Sequence, residues 1–319
     1  MSARRFIALG TASQVPTRER NHNGYFLRWD AEGFLFDPGE GTQRQMTFAE
    51  VSATQITKIF ITHFHGDHCL GLAGVVQRLS LDRVPHAVQI FYPASGEKYL
   101  DNLINSSVYT NYARIERLPI REEGIIFRGA DYAIETMRLE HSTESWGYRI
   151  KENDGVSLLK KKLEKAGIRG KDAGRLKNEG KIELNGKIFS LADFSVEKRG
   201  QSFAFVMDTR LCANAFRLAK DVDMLVCEST FLSTEASEAS AHGHLTAAQA
   251  AQIAAESNAN LLVLTHFSQR YQNISDFTAE AEKIHANVVA VKDGDHVDMP
   301  KRKQNELQSQ IQNPKPKIL

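Results

Sequence analysis

The chain has 319 residues, of which 42% are hydrophobic and 25% charged, and carries a formal net charge of +1. That length allows a sizeable core in one large domain or two small ones, and the balance is ordinary for a soluble globular protein. There is no long uncharged apolar run, so no transmembrane helix is expected. Only four apolar residues (Phe6 to Leu9) separate the basic start from Gly10, too few for a signal-peptide core. Cys69, Cys212 and Cys227 have no paired spacing and give no disulfide framework. These features predict a cytoplasmic protein with no membrane partner.

In chain order, residues 6–9, 24–29 and 34–36 read as short strands between turn residues. Residues 56–62 form a further strand, followed at once by Thr62-His63-Phe64-His65-Gly66-Asp67-His68. Residues 70–81 read as a helix with Asp67 and His68 near its start, then 89–92 and 132–139 as strands. Residues 151–200 are polar, lysine-rich and glycine-punctuated, with 13 Lys/Arg against 8 Asp/Glu; that is a net of +5, leaving about −4 for the rest. Composition alone reads this segment as a solvated surface loop, with a short helix over 156–166. Beyond it, 201–207 and 224–227 are strands, and 246–257 is an alanine-rich helix with Thr246 as its N-cap. Residues 261–265 and 288–292 complete the strand set. Residues 301–319, rich in Gln, Asn, Lys and Pro, read as a disordered tail. Strands followed by helices in two halves predict an α/β fold with sheets covered by helices.

The chemistry concentrates in seven residues. Four lie in the run just quoted: His63, His65, Asp67 and His68. The others, His141, Asp208 and His266, each follow a strand-like apolar stretch. His63 and His65, one residue apart on an extended turn, can bind one ion from the same side; Asp67 and His68 point toward another. Imidazole suits zinc and a carboxylate can bridge two cations. Two ions ~3.5–4 Å apart clamp an in-line displacement at phosphorus and lower the pKa of a shared water. Four ionisable residues packed after an apolar strand would be costly to bury without metal. His22, His86, His242, His285 and His296 lack such a setting and are read as non-ligands. Asp37, in the Asp37-Pro38-Gly39 turn, either orients a metal-binding histidine or serves only turn chemistry.

The metal run resembles the signature of the metallo-β-lactamase superfamily. Other segments resemble one family within it, ribonuclease Z (tRNA 3′-endonuclease): Pro16-Thr17-Arg18-Glu19-Arg20-Asn21, Phe36-Asp37-Pro38-Gly39-Glu40-Gly41-Thr42, Gly147-Tyr148-Arg149, Asp208-Thr209-Arg210, Glu228-Ser229-Thr230-Phe231, Gly243-His244-Leu245-Thr246 and Leu264-Thr265-His266-Phe267-Ser268. They occur in the family's order over residues 1 to about 300. The resemblance implies a four-layer αβ/βα metallo-β-lactamase sandwich over 1–300, with residues 151–200 as an inserted protruding basic arm that grips the tRNA elbow across a homodimer. It implies one zinc on His63, His65 and His141, a second on Asp67, His68 and His266, and Asp208 as the bridge; manganese or iron would suit the same donors. Asp67 would also be the proton acceptor. His244, oriented by Glu228, would protonate the leaving oxygen. The expected reaction removes the 3′ trailer from precursor tRNA, leaving a 3′-hydroxyl on the tRNA and a 5′-phosphate on the trailer.

The chain departs from the family's pattern in places. Residues 167–176 lack the Gly-Pro element usual near the arm's tip. Met207 precedes Asp208 where glycine is common, Leu245 replaces a frequent serine, and Cys227 a frequent histidine. None removes a candidate ligand. The rival reading is a small-molecule metallo-hydrolase of the same superfamily, acting on a cyclic nucleotide, lactone or thioester; the basic insertion disfavours it, because a small substrate needs no clamp.

Overall fold

The computed structural model describes residues 4–301, so the expected disordered tail, beyond Lys301, lies outside the described residues. The larger of two compact units comprises residues up to Gly129, Ala133–Ile150 and Ser202–Pro300. It contains two seven-stranded sheets. The first runs His296–Asp298, Arg5–Gly10, Gly24–Trp29, Glu32–Phe36, Lys58–Phe60, Ala87–Pro93, Arg114–Ile120. The second runs Val288–Ala290, Leu261–Thr265, Met224–Glu228, Ser202–Val206, Ser145–Glu152, Tyr132–Leu139, Gly124–Arg128.

Alternation of side chains along each strand builds the layers. Phe34, Phe36, Phe60 and Phe91 leave the first sheet on one face; Phe203, Phe205 and Tyr148 leave the second. They meet as a buried aromatic layer, with Phe36 4.7 Å from Phe205 and Phe60 5.0 Å from Tyr148 between ring centroids. The intervening residues point the other way. Leu35, Ile59, Ile61 and Ile90 join a core with Leu72, Val75, Val76 and Leu79 of the helix Leu72–Leu81. Ala204, Val206, Leu225 and Leu262 join another with Ala250, Ala251 and Ala254 of the helix Ala247–Glu256. The result is helix, sheet, sheet, helix: the four-layer sandwich. Thr246 caps the alanine-rich helix in a reciprocal capping box with Gln249, as its sequence predicts.

Two elements differ from expectation. The helix expected over 70–81 is two pieces, Gly66–Cys69 and Leu72–Leu81. Gly71 lies between them against the Asp37-Pro38-Gly39 turn: its N–H donates to Pro38 O at 2.9 Å, and a Cβ there would stand 1.8 Å from Gly39 O. The helix expected over 156–166 is instead the strand Gly155–Leu158 followed by the short helix Lys160–Lys165. That strand pairs antiparallel with Ser195–Lys198, which sequence periodicity over one segment could not reveal.

The smaller unit comprises Lys151–Gln201 with Ala130–Tyr132 and Lys301. It is not a structureless loop. Leu163, Ile168, Leu176 and Ile182 form a small buried core, and Phe189 and Phe194 pack against it. The helix Gly170–Glu179 ends on Gly180, whose φ of 76° suits glycine, and leads into the hairpin Lys181–Leu184/Lys187–Ser190.

Candidate metal centre

Ser202–Val206, Met224–Glu228 and Leu261–Thr265 are parallel neighbours, so their carboxyl ends share one edge of the sheet. Asp208, Glu228 and His266 stand there. In the first sheet, Lys58–Phe60 is parallel to both its neighbours and delivers the run from His63 to His68 at its own carboxyl end. Ligand sites form outside such strand ends.

The seven candidate side chains come together in two overlapping groups. In the first, His63 Nε2 lies 2.9 Å and His141 Nε2 3.2 Å from His65 Nδ1. In the second, Asp67, His68 and His266 converge. Asp208 Oδ2 is 3.8 Å from His63 Nε2, 3.2 Å from His68 Nε2 and 3.3 Å from His266 Nε2, which places it between the groups. His266 adopts a left-handed backbone, φ 64°, uncommon for a non-glycine residue.

The other nitrogen of several rings is taken. His68 Nδ1–H donates to Asp37 Oδ2 at 2.9 Å and His141 Nδ1–H to Gly243 O at 2.9 Å. His63 Nδ1 contacts Thr62 Oγ1 at 3.0 Å. Those contacts occupy the outer nitrogen of each ring and leave the other facing into the cluster. Asp37 is therefore an orienting group, not only a turn residue: its carboxylate also accepts from Thr62 N and Oγ1, both at 2.7 Å. Its turn is clamped on the metal run, since a Cβ on Gly39 would stand 2.1 Å from Asp67 O.

The donor set fits divalent cations. Asp208 Oδ1 and His266 Nε2 are buried without a hydrogen-bond partner, which is expensive unless something else satisfies them. The field is also cationophilic. Burial opposes charge on His68, yet Asp208, Asp67 and Asp37 outweigh it and drive the imidazole well above its usual range. Burial raises the Asp67 carboxyl, but His68 and His266 overcome this and hold it well below the ordinary carboxylate range. His63 and His141, by contrast, are pushed down by burial and stay neutral, as ligation requires.

Beside this cluster, His244 Nδ1–H donates to Glu228, 3.2 Å from each carboxylate oxygen. Burial lowers the imidazole, but the charge and hydrogen bonds of Glu228 prevail and raise it to about 9. Glu228 is fully buried and also accepts from Thr209 N (2.6 Å) and Leu245 N (3.1 Å). His244 faces a cavity of about 430 Å³ shared with Asp67, His141, Asp208, His266, Phe231 and Arg270.

Of the histidines read as non-ligands, His242 lines this cavity but belongs to no donor group among the described residues. Cys69, Cys212 and Cys227 are free and buried, and burial pushes the Cys69 thiol up to about 12. Sequence reasoning missed Thr62, Thr230, Asn23 and the Gly243 carbonyl. Asn23 Nδ2 lies 3.1 Å from His68 Nε2 and is anchored by Tyr25 Oη at 2.6 Å. The one available signal was a hydroxyl residue adjoining a candidate ligand or acid.

Family models described as metallo-beta-lactamase superfamily and beta-lactamase superfamily domain match residues 17–147 and 179–267. Among solved structures, human tRNase Z, short form, superposes with a TM-score of 0.68 at 23% identity, covering 93% of this chain and 100% of that one. A metallo-beta-lactamase fold protein from Bacillus subtilis gives 0.67 at 15% identity, covering 93% and 99%. Fold and donor set together define a metal-binding member of the metallo-β-lactamase superfamily. Ribonuclease Z of Nocardia farcinica is 52% identical over 305 residues, 95% of this chain and 100% of that protein. Ribonuclease Z of Streptomyces coelicolor is 48% identical over 305 residues, again 95% and 100%. The chain belongs to the ribonuclease Z family.

Proposed function

We propose that this chain is the tRNA 3′-processing endoribonuclease its family membership implies, acting through two zinc ions held by the seven-residue cluster. The observation that carries the reading is the convergence of two donor groups on Asp208, beside a buried Glu228–His244 pair, in one cavity. His63, His65 and His141 would hold one ion, Asp67, His68 and His266 the other, with Asp208 bridging. When bound, the ions would lower the pKa of a shared water and offset charge developing on the phosphoryl oxygens.

The side chains divide the proton work. Asp67 is held as a carboxylate by His68 and His266 and accepts from Gln14 N at 2.8 Å, so it is aimed and able to take the proton of the attacking water. Glu228, which holds Nδ1, raises the His244 imidazole above its ordinary range and so favours its protonated form. Its Nε2–H serves the departing 3′-oxygen. Residues 151–200, with their excess positive charge, would hold tRNA phosphates without reading sequence. A homodimer is the assembly in which the family resemblance has such an arm reach the tRNA elbow. Three free buried cysteines suit a reducing cytoplasm, and no helix among the described residues is long and apolar enough to cross a membrane.

The test is cleavage of a 3′-extended precursor tRNA, end-labelled, with and without chelator, followed by readdition of Zn²⁺, Mn²⁺ or Fe²⁺. Cleavage at the acceptor-stem 3′ side, lost on chelation and restored best by Zn²⁺, is expected. Chelator-resistant cleavage would sink the metal assignment; hydrolysis of small phosphodiesters without tRNA cleavage would favour the rival reading.

A further inference from the structure

Thr230 lies two residues beyond the end of the Met224–Glu228 strand, buried between two functional groups. Its Oγ1 is 2.7 Å from Glu228 Oε2 and 2.7 Å from His266 Nδ1. A hydroxyl has one proton to give, and an ionised carboxylate can only accept. The direction is therefore fixed: His266 Nδ1–H donates to Thr230 Oγ1, and Thr230 Oγ1–H donates to Glu228. His266 is left in the tautomer whose Nε2 is a lone pair. That Nε2 is buried without a hydrogen-bond partner, facing Asp208 at 3.3 Å and Asp67 at 3.7 Å.

The other half of the site repeats the device. Thr62 donates Oγ1–H to the buried carboxylate of Asp37 and contacts His63 Nδ1. In both halves a threonine just past a strand stands between an imidazole and a buried acid. The second instance differs in one respect. Glu228 also holds His244, so one carboxylate is connected to the candidate proton donor directly and to a candidate metal ligand through Thr230.

We propose that Thr230 is a positioning residue: its hydroxyl fixes the tautomer and ring plane of His266 and so builds the second metal position onto the carboxylate that orients His244. This rests on the two-metal reading of the cluster. Thr230 Oγ1 is the hydrogen-bond partner of His266 Nδ1, at 2.7 Å.

The test is titration of the metal-free full-length protein with Zn²⁺, and with Co²⁺ followed by its visible absorption. Wild type should bind two equivalents. Thr230→Val keeps the shape and removes the hydroxyl. It should bind one equivalent as wild type does and the other about 10- to 100-fold more weakly, the usual cost of losing a partner behind a ligand, with an altered cobalt spectrum. Thr230→Ser should recover most of the loss; Thr230→Ala replaces the valine variant if that one does not fold. Two equivalents bound by Thr230→Val with wild-type affinity and spectrum would overturn the role of Thr230 while leaving the metal centre intact. Equal weakness in the serine variant would do the same. Wild type that binds neither metal would overturn both this inference and the reading beneath it.

Discussion

At the scale of single residues, the cluster separates side chains that would hold metal from those that would move protons. Asp208 is near both donor groups, so Asp208→Ala should abolish cleavage and lower bound metal. Asp67→Ala should abolish it too, since it removes a proposed ligand and the proposed base at once. His244 is different, since its committed partner is Glu228. His244→Ala should slow cleavage by about 10²- to 10⁴-fold, the range for loss of a general acid, while metal content by elemental analysis stays at the wild-type level. Loss of metal in that variant would make His244 a ligand instead. Four of the seven candidate ligands, His63, His65, Asp67 and His68, were legible because ionisable residues packed so densely after an apolar strand are costly to bury unless a cation compensates them; His141, Asp208 and His266 stand alone in the sequence and were singled out by the apolar stretches before them and by the family resemblance. The residues behind the seven were not legible. Thr62, Thr230 and Asn23 are common residue types, and their roles exist only once strands distant in sequence put them beside an imidazole. Asp37 was readable either as an orienting residue or as a turn residue only; which of the two, and its contact with His68, 31 positions away, belongs to the fold.

At the scale of elements, strands with a continuous or alternating apolar pattern declared themselves, and strands without one did not. Residues 24–29, 132–139 and 261–265 form strands with the expected bounds: 132–139 alternates loosely, while 24–29 and 261–265 are short apolar runs largely buried on both faces. Arg114–Ile120 was not legible: it is an edge strand whose apolar Ile115, Leu118 and Ile120 are broken up by Arg, Glu and Pro. The metal-run helix was legible in type but not in its break, which Gly71 makes by docking on a distant turn. The aromatic layer gives a direct test of why the strands matter. Phe36 is fully buried, 4.8 Å from Phe60 and 4.7 Å from Phe205 between centroids. It also ends the strand that leads into Asp37. Phe36→Ala should cost about 3–5 kcal/mol in urea unfolding, the range for emptying a large core site. Cleavage measured well below the transition should fall as well, because the Asp37 carboxylate loses its firm seat. A loss under about 1 kcal/mol, within the range of ordinary surface substitutions, would mean that the two sheets do not depend on this layer.

At the scale of the whole molecule, the question is what residues 151–200 contribute. Their composition suggests a solvated loop, yet they fold around Leu163, Ile168, Leu176 and Ile182. A segment serving only as a linker needs no core; one that must present charge in a fixed arrangement does. The ends of the unit are adjacent, since Glu152 N–H donates to Gln201 O at 2.8 Å, so residues 153–200 can be replaced by a short turn. The larger unit holds every candidate ligand together with Glu228 and His244. Excision should therefore leave hydrolysis of a chromogenic phosphodiester close to that of the full chain. Precursor tRNA should lose kcat/KM by on the order of 10²-fold, with a flatter salt dependence, as expected for shedding several phosphate contacts. Steady-state kinetics of both substrates across a salt series measures this. If both activities fall together, the segment supports the fold of the site; if neither falls, tRNA is held elsewhere. Only the split result, tRNA lost and phosphodiester retained, makes the small unit a clamp that gives a general phosphodiesterase site its RNA substrate.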